Sequence, residues 1–412
     1  MLDTETLSHN RIARKGTKLV STSDKDGVPT YEPAFGAFEY FPENLEWSTQ
    51  MLRLFSYCYV RGADFTEVHA VARSLPVGDN AAWEKGFSEL ARQIEASART
   101  SAAGGHDVTA RDLFLRATIY YRISGQMADI AGDNEVPPGL VESVRCFQEA
   151  SALMSPAFIP VEVPYEGDTL PGYLCIPESK SAGKVPAVVD FGGIDAFAEE
   201  QYFKIGSALV ERGYAVLLLN GPGQGAAKER GIYGRYDFEV AAAAAVDFLE
   251  VQPGIDNERI ALIGSSLGGY FAARAAAFEH RLKATVIWGA MDGFRPPEGI
   301  SLESGRAGSR IRQIERFLGV SGREALVEKG RQFQLGPTVM AGVSSPVLIL
   351  HGGSDALVPV SVAQRVFDDI AYPDKTILVY PAGTPGCAHC QLDALGVAQR
   401  DICDWLDDKV LA

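Results

Sequence analysis

The chain has 412 residues, 46% hydrophobic and 22% charged, which is ordinary globular composition and long enough for two domains. A net charge of −15 argues against nucleic acid or an anionic membrane as partner, and the longest apolar stretch, near Val240 to Leu249, is too short to span a bilayer. Six scattered cysteines read as reduced thiols and the opening Met1-Leu2-Asp3-Thr4-Glu5-Thr6 has no apolar signal core, so a soluble, cytoplasmic protein is expected.

Upstream of about residue 155 the pattern is helical. Apolar residues recur at three- and four-residue spacing over Leu45 to Val60, Asp64 to Arg73, Ala81 to Ser97, Thr109 to Ile123 and Pro138 to Ala152. Turn signals separate them: Asp79 or Asn80 can cap the third helix, and Gly104-Gly105-His106-Asp107 interrupts the next pair. Residues 1–155 are therefore expected to form a helical, cap-like domain, whose first residues are a polar leader that carries His9.

Residues 156–412 read differently. Phe158 to Val163 and Leu170 to Cys175 straddle Glu166-Gly167-Asp168, as an antiparallel hairpin on a sheet edge would. Short Val/Ile/Leu runs then alternate with helical stretches: Val185 to Phe191, Ala215 to Leu219, Arg259 to Ile263, Ala284 to Trp288, Pro346 to Leu350 and Thr376 to Tyr380. That alternation predicts a mostly parallel sheet with helices on both faces. Residues 292–344 break it, with helical patterns at Arg310 to Leu318 and Arg323 to Phe333, and are expected to form a lid-like insertion over the sheet's carboxyl end.

Gly264-Ser265-Ser266-Leu267-Gly268 follows the run ending at Ile263 and opens into the Ala-rich stretch Tyr270 to Ala277. Strand, G-x-S-x-G turn and helix together make the nucleophile elbow of an α/β-hydrolase fold. The turn lifts the Ser266 hydroxyl above the sheet, and the helix aims its N-terminus and the Leu267 N–H at an oxyanion forming there. Asp355 lies just past the strand ending at Leu350, and His389 in the loop after the last strand. The order Ser266, Asp355, His389 fits nucleophile, orienting carboxylate and general base. His351 is the rival histidine, but a contact to neighbouring backbone is expected of it. Gly192-Gly193-Ile194-Asp195 follows the Val185 strand, and one N–H from Gly193 or Ile194 is expected to complete the oxyanion hole.

Two other patterns are set aside. Cys387-Ala388-His389-Cys390 has C-x-x-C spacing but no second ligand pair, so no metal is expected. Gly221-Pro222-Gly223-Gln224-Gly225-Ala226 is dinucleotide-like, but it is expected to run on as a flexible turn instead of opening a helix, so no cofactor is expected. Trp288 and Phe294 lie near the mouth, either as core or as substrate-pocket wall.

Asp79-Asn80-Ala81-Ala82-Trp83, Ala110-Arg111-Asp112-Leu113-Phe114-Leu115-Arg116-Ala117 and Tyr120-Tyr121-Arg122 carry a resemblance, together with the elbow and Ala388-His389-Cys390-Gln391. They resemble the dihydroxypseudooxynicotine hydrolases of bacterial nicotine breakdown and the fungal yellow-green pigment hydrolases that shorten polyketide chains. Both sit in the esterase-like group named after the fermentation/respiration switch protein. The resemblance runs from about residue 45 onward. It implies an α/β-hydrolase core with an N-terminal helical bundle, often dimeric, and an active site between the two. It also implies hydrolysis of a C–C bond next to a ketone, with the triad on Ser266, Asp355 and His389. Asp292 is the nearest match to an acidic substrate contact in the nicotine-pathway member.

The expected mechanism is acyl transfer to Ser266, with an enolate-type carbanion leaving in a C–C hydrolase and an alkoxide leaving in an esterase. An acyltransferase or cyclase would use the same acyl-enzyme, and a regulatory partner-binding protein is the non-enzymatic alternative. The substrate is expected to be a small molecule, an aromatic or polyketide-like ketone or ester, held by helices rich in Tyr, Phe and Trp.

Overall fold

The computed structural model describes residues 39–131, 136–179, 183–294 and 305–411; the leader with His9 and residues 295–304 of the insertion lie outside them. Five helices come first: α1 (Leu45–Cys58), α2 (Phe65–Ala72), α3 (Asn80–Ala103), α4 (Asp107–Ala131) and α5 (Pro138–Ala152). Side chains fix three of their starts. Asn44 accepts from the Trp47 N–H, Asp64 from Thr66 and Glu67, and Asp79 from Ala82, satisfying N–H groups that have no partner inside the helix. The third and fourth helices run longer than their apolar patterns predicted, leaving only Gly104-Gly105-His106 between them. Helix α4 continues through Gly125 because the missing side chain lets α5 approach: a Cβ there would lie 3.0 Å from Leu140.

Eight strands follow: β1 (Ile159–Tyr165), β2 (Asp168–Cys175), β3 (Val185–Phe191), β4 (Ala215–Leu219), β5 (Ile255–Ser265), β6 (Ala284–Trp288), β7 (Val347–Gly352) and β8 (Lys375–Tyr380). Their order is β1-β2-β4-β3-β5-β6-β7-β8. The β1–β2 hairpin and its junction with β4 are antiparallel, and every pairing from β4 to β8 is parallel. Between and after them lie α6 (Ala198–Gln201), α7 (Ser207–Glu211), α8 (Gly225–Glu229), α9 (Glu239–Glu250), α10 (Leu267–Phe278), α11 (Gly305–Leu318), α12 (Arg323–Gly330), α13 (Pro337–Met340), α14 (Val360–Asp369) and α15 (Leu395–Leu406). A π-helical turn, Tyr202–Gly206, joins α6 to α7. The Gly221–Ala226 segment opens α8 directly, where sequence predicted a longer flexible turn.

Alternating strand residues face opposite cores. Val188, Leu218, Ile263, Val286 and Leu348 share a cluster with Trp47, Trp83, Phe147 and Ile402, so the N-terminal helices and α15 cover one face. Val189, Leu217, Leu262, Ile287 and Ile349 share the other with residues of α9 and α10. The described helices and the sheet, read from sequence as two domains, lie in one compact unit. No helix among the described residues is long and apolar enough to cross a membrane.

Candidate active site

The tip of the central strand β5 turns sharply into α10, and Ser266 occupies that turn at φ 60°, ψ −120°. A non-glycine residue there holds roughly 1–3 kcal/mol of backbone strain, sustained only when the surroundings fix it. They do. A Cβ on Gly264 would lie 1.9 Å from the Gly268 carbonyl oxygen, and one on Gly268 would lie 2.5 Å from the carbonyl oxygens of both Phe191 and Gly192. The Ser266 N–H donates to the Trp288 carbonyl at 2.7 Å, tying the turn to β6.

His389 and Asp355 reach this turn from the carboxyl ends of β8 and β7. The His389 Nε2 lies 2.8 Å from Ser266 Oγ, and its Nδ1 lies 2.6 Å from Asp355 Oδ2. With Nδ1–H donated to the carboxylate, Nε2 is left to accept the Ser266 proton. The second Asp355 oxygen accepts the N–H groups of Leu357 and Val358 at 2.8 and 2.9 Å, which fixes the carboxylate. Burial pushes Asp355 up, but His389 and these donors hold it below the ordinary carboxylate range. Burial works against the His389 imidazolium, yet Asp355 carries its pKa well above the usual imidazole value.

The Gly192-Gly193-Ile194 loop at the end of β3 packs directly on Ser266: a Cβ on Gly193 would lie 2.9 Å from Ser266 Cβ. Sequence reasoning missed the residue that orients this loop. Gln224 Nε2 donates to the carbonyls of Gly192 and Gly193 at 2.6 and 2.9 Å, while its Oε1 accepts the Gly221 N–H. In a planar trans peptide the following N–H points opposite to the carbonyl, so those of Gly193 and Ile194 point away from Gln224. Leu267, at the first position of α10, has no intrahelical acceptor for its N–H. The Gly-Pro-Gly-Gln turn after β4 was the available signal for Gln224.

A cavity of about 130 Å³ opens beside Ser266 and His389. Its wall includes Gln50, Arg53 and Tyr57 from α1, Gly193, Ile194 and Asp195 from the loop after β3, Glu200, Gln201 and Lys204, and Gln313 from α11 of the insertion. The wall mixes polar and aliphatic residues, against the aromatic enclosure that sequence predicted. Tyr57 is the one aromatic residue in it among the described residues, because Trp47, Trp83, Phe87 and Tyr120 pack into the core. Arg53 donates to Asp195 Oδ2 at 2.9 Å and pairs with Glu200 at 3.4 Å, and Tyr57 Oη donates to Glu200 at 2.6 Å. Arg122 also pairs with both carboxylates, at 3.7 Å from Asp195 and 3.4 Å from Glu200. Burial raises Asp195 and Glu200, but Arg53 and Arg122 outweigh it and hold both low. Arg53, Tyr57 and Glu200 carried no sequence signal, since polar residues on a helix ordinarily mark its solvated face.

Two expected pocket residues lie elsewhere. Asp292 pairs with Arg365 of α14 at 2.8 Å and is not in the cavity wall. Trp288 is core beneath the site: its indole N–H donates to Gln391 Oε1 at 2.6 Å and it contributes no cavity surface. His351 is fully buried, with Nε2 against the Val358 carbonyl at 2.8 Å, which is the backbone contact expected of it. Burial lowers its pKa. Cys390 donates its thiol to the Trp288 carbonyl, and both it and Cys387 are free. No metal-holding cluster of His, Cys, Asp or Glu occurs among the described residues.

Known proteins share this arrangement of elements. A family model described as esterase FrsA-like matches residues 80–292, more than half of the chain. The α/β hydrolase xenA of Xenoacremonium sinensis is 36% identical over 60% of this chain and 60% of its own, so the match spans only that share of the relative's length. Hydrolase ORFZ of Pyricularia oryzae is 30% identical over 84% of this chain and 92% of its own. The crystal structure of 2,6-dihydroxy-pseudo-oxynicotine hydrolase superposes with a TM-score of 0.75 at 25% identity, covering 87% of this chain and 96% of that one. With an eight-stranded sheet of hydrolase topology and these likenesses, the chain belongs to the FrsA-like esterase family of α/β-hydrolase enzymes.

Proposed function

We propose that the chain is a serine hydrolase that cleaves a C–C bond next to a ketone in a polyketide-like or aromatic substrate. The observation that carries the reading is the unbroken hydrogen-bonded series Asp355, His389, Ser266 opening onto a cavity. His389 takes the Ser266 proton, and the alkoxide adds to the carbonyl carbon. The oxyanion is received by the Leu267 N–H and one from Gly193 or Ile194. Collapse breaks the C–C bond, and His389 then activates water against the acyl-enzyme. The helices α1–α5 act as a cap domain through α1, and the working form is a homodimer, as the resemblance implies.

The small cavity bounds what is enclosed. At about 130 Å³ it has room for a group near the size of benzene. The reacting carbonyl end enters and the rest of a larger substrate extends beyond. Ester hydrolysis is the second reading, favoured by the family's description as esterase-like. Side-by-side catalytic efficiencies on aryl 1,3-diketones and on nitrophenyl esters separate the two. The proposal expects higher kcat/KM on a diketone; fast ester turnover with no diketone cleaved would establish the esterase instead.

A further inference from the structure

Lys204 is the group near Ser266 that the mechanism above leaves unused. It sits on the π-helical turn between α6 and α7, only 9% exposed, and lines the same cavity as Ser266 and His389. Its Nζ donates to Ser265 Oγ at 2.7 Å, the residue immediately before the proposed nucleophile, and lies 5.0 Å from the centre of the Trp288 ring. It forms no ion pair with a carboxylate among the described residues. An ammonium has three N–H donors, and Ser265 takes one.

Burying a cation without a paired anion is costly, so a retained one calls for an anion at that place. Lys204 acts on Asp190 and Asp195 at a distance, but neither carboxylate pairs with it directly. Asp195 and Glu200 are both engaged by Arg53 and Arg122. Asp190, the carboxyl below the loop, is pushed up by burial to about 7 although the Lys204 charge acts to lower it, and Gln201 donates to it at 3.0 Å. Arg53 Nε, a donor buried in this wall without a hydrogen-bond partner, points the same way. The wall places a buried ammonium beside the nucleophile, with donors able to receive a ligand oxygen.

We infer that the substrate is a 1,3-dicarbonyl compound whose second carbonyl oxygen is bound by Lys204, which stabilises the enolate leaving group. The inference rests on Ser266 acting as nucleophile at a ketone, as proposed above. Ser266 Oγ bonds to the first carbonyl carbon while its proton passes to His389. When the C–C bond breaks, its electron pair moves to the departing carbon and delocalises onto the second oxygen, which faces the Lys204 ammonium. The proton held by His389 then goes to that carbon, releasing a neutral ketone. Water cleaves the acyl-enzyme, so the sum is diketone plus water to carboxylic acid plus ketone. An alkoxide leaving group is protonated at its own oxygen by His389 and has less need of a second cation, which is why Lys204 marks the dicarbonyl class.

The test is a series of 1,3-diketones with one common acyl part and enolate leaving groups of graded basicity, given to the wild-type protein, Lys204→Met and Lys204→Arg. Wild type is expected to show a shallow dependence of kcat on leaving-group basicity. Lys204→Met should steepen it and lower kcat on the most basic leaving group by about a hundredfold, an effect on the scale of removing one preorganised donor. KM should change by only a few-fold, and Lys204→Arg should restore part of the rate. Parallel dependences in wild type and Lys204→Met, or a loss confined to KM, would overturn the role of Lys204 while leaving C–C hydrolysis standing. Absence of diketone cleavage by wild type, with esters turned over, would remove the function reading and this inference with it. A second measurement covers a Lys204→Met protein that fails to fold. Ser266→Ala, with Lys204 intact, should bind an acyclic 1,3-diketone and show its enolate absorption at a pH at least one unit below that of the free compound. No such displacement on binding would also overturn the inference.

Discussion

Ser266, His389 and Asp355 come from three separate loops, yet they were the most legible part of the site in sequence. Each follows a recognisable apolar run, and their chain order is that of the fold. Lys204 and Arg53 were not legible, because their roles depend on which loop or strand their helix or turn meets in space. The charge on His389 has a testable consequence. Burial opposes its protonation, but Asp355 raises its pKa well above the ordinary value, with Cys390 adding to that and His351 facing the pair. The imidazole takes the Ser266 proton only when neutral, so activity is expected to fall as pH drops through this raised value. Asp355→Asn removes the charge that raises it, leaving burial to lower it. The acid limb of kcat/KM should then move to lower pH, while the plateau falls by a factor on the order of 10³–10⁴. A pH–rate profile of both proteins checks this; an acid limb unmoved or moved upward would refute the coupling.

At the scale of elements, the packing of β3, β5 and α10 holds the proposed machinery together through glycines. Gly268 lies under the Phe191 and Gly192 carbonyls so closely that any side chain would collide with backbone. Gly268→Ala is expected to displace the loop after β3, destabilising the protein by about 1–3 kcal/mol as overpacking does. Chemical denaturation and kcat, measured together, check this; a variant equal to wild type in both would show that the loop and elbow are not in rigid contact. The strands and the hairpin were readable from β-branched runs and turn residues. Helix ends were less so. The pattern lost at Gly125 predicted an end to α4 near Ile123, whereas that glycine is the contact that seats α5. The Gly221–Ala226 segment was misread for a similar reason: its glycines looked flexible, but Gln224 within it is anchored on both sides.

For the whole molecule, the helical layer and the sheet share one core, and α1 faces the carboxyl end of the sheet with Gln50, Arg53 and Tyr57. Aromatic content in the helices was therefore mainly a signal of packing, and α1 lines the cavity with Gln50, Arg53 and Tyr57 instead. The central claim is that Ser266 is the nucleophile of this assembly. Its most direct test is kcat/KM of a folded Ser266→Ala protein on the best wild-type substrate, beside Ser265→Ala. Because nucleophile and base act as one unit, Ser266→Ala is predicted to lose at least about a thousandfold and to lose more than Ser265→Ala. A near-wild-type rate for Ser266→Ala, or a greater loss in a folded Ser265→Ala, would contradict the account.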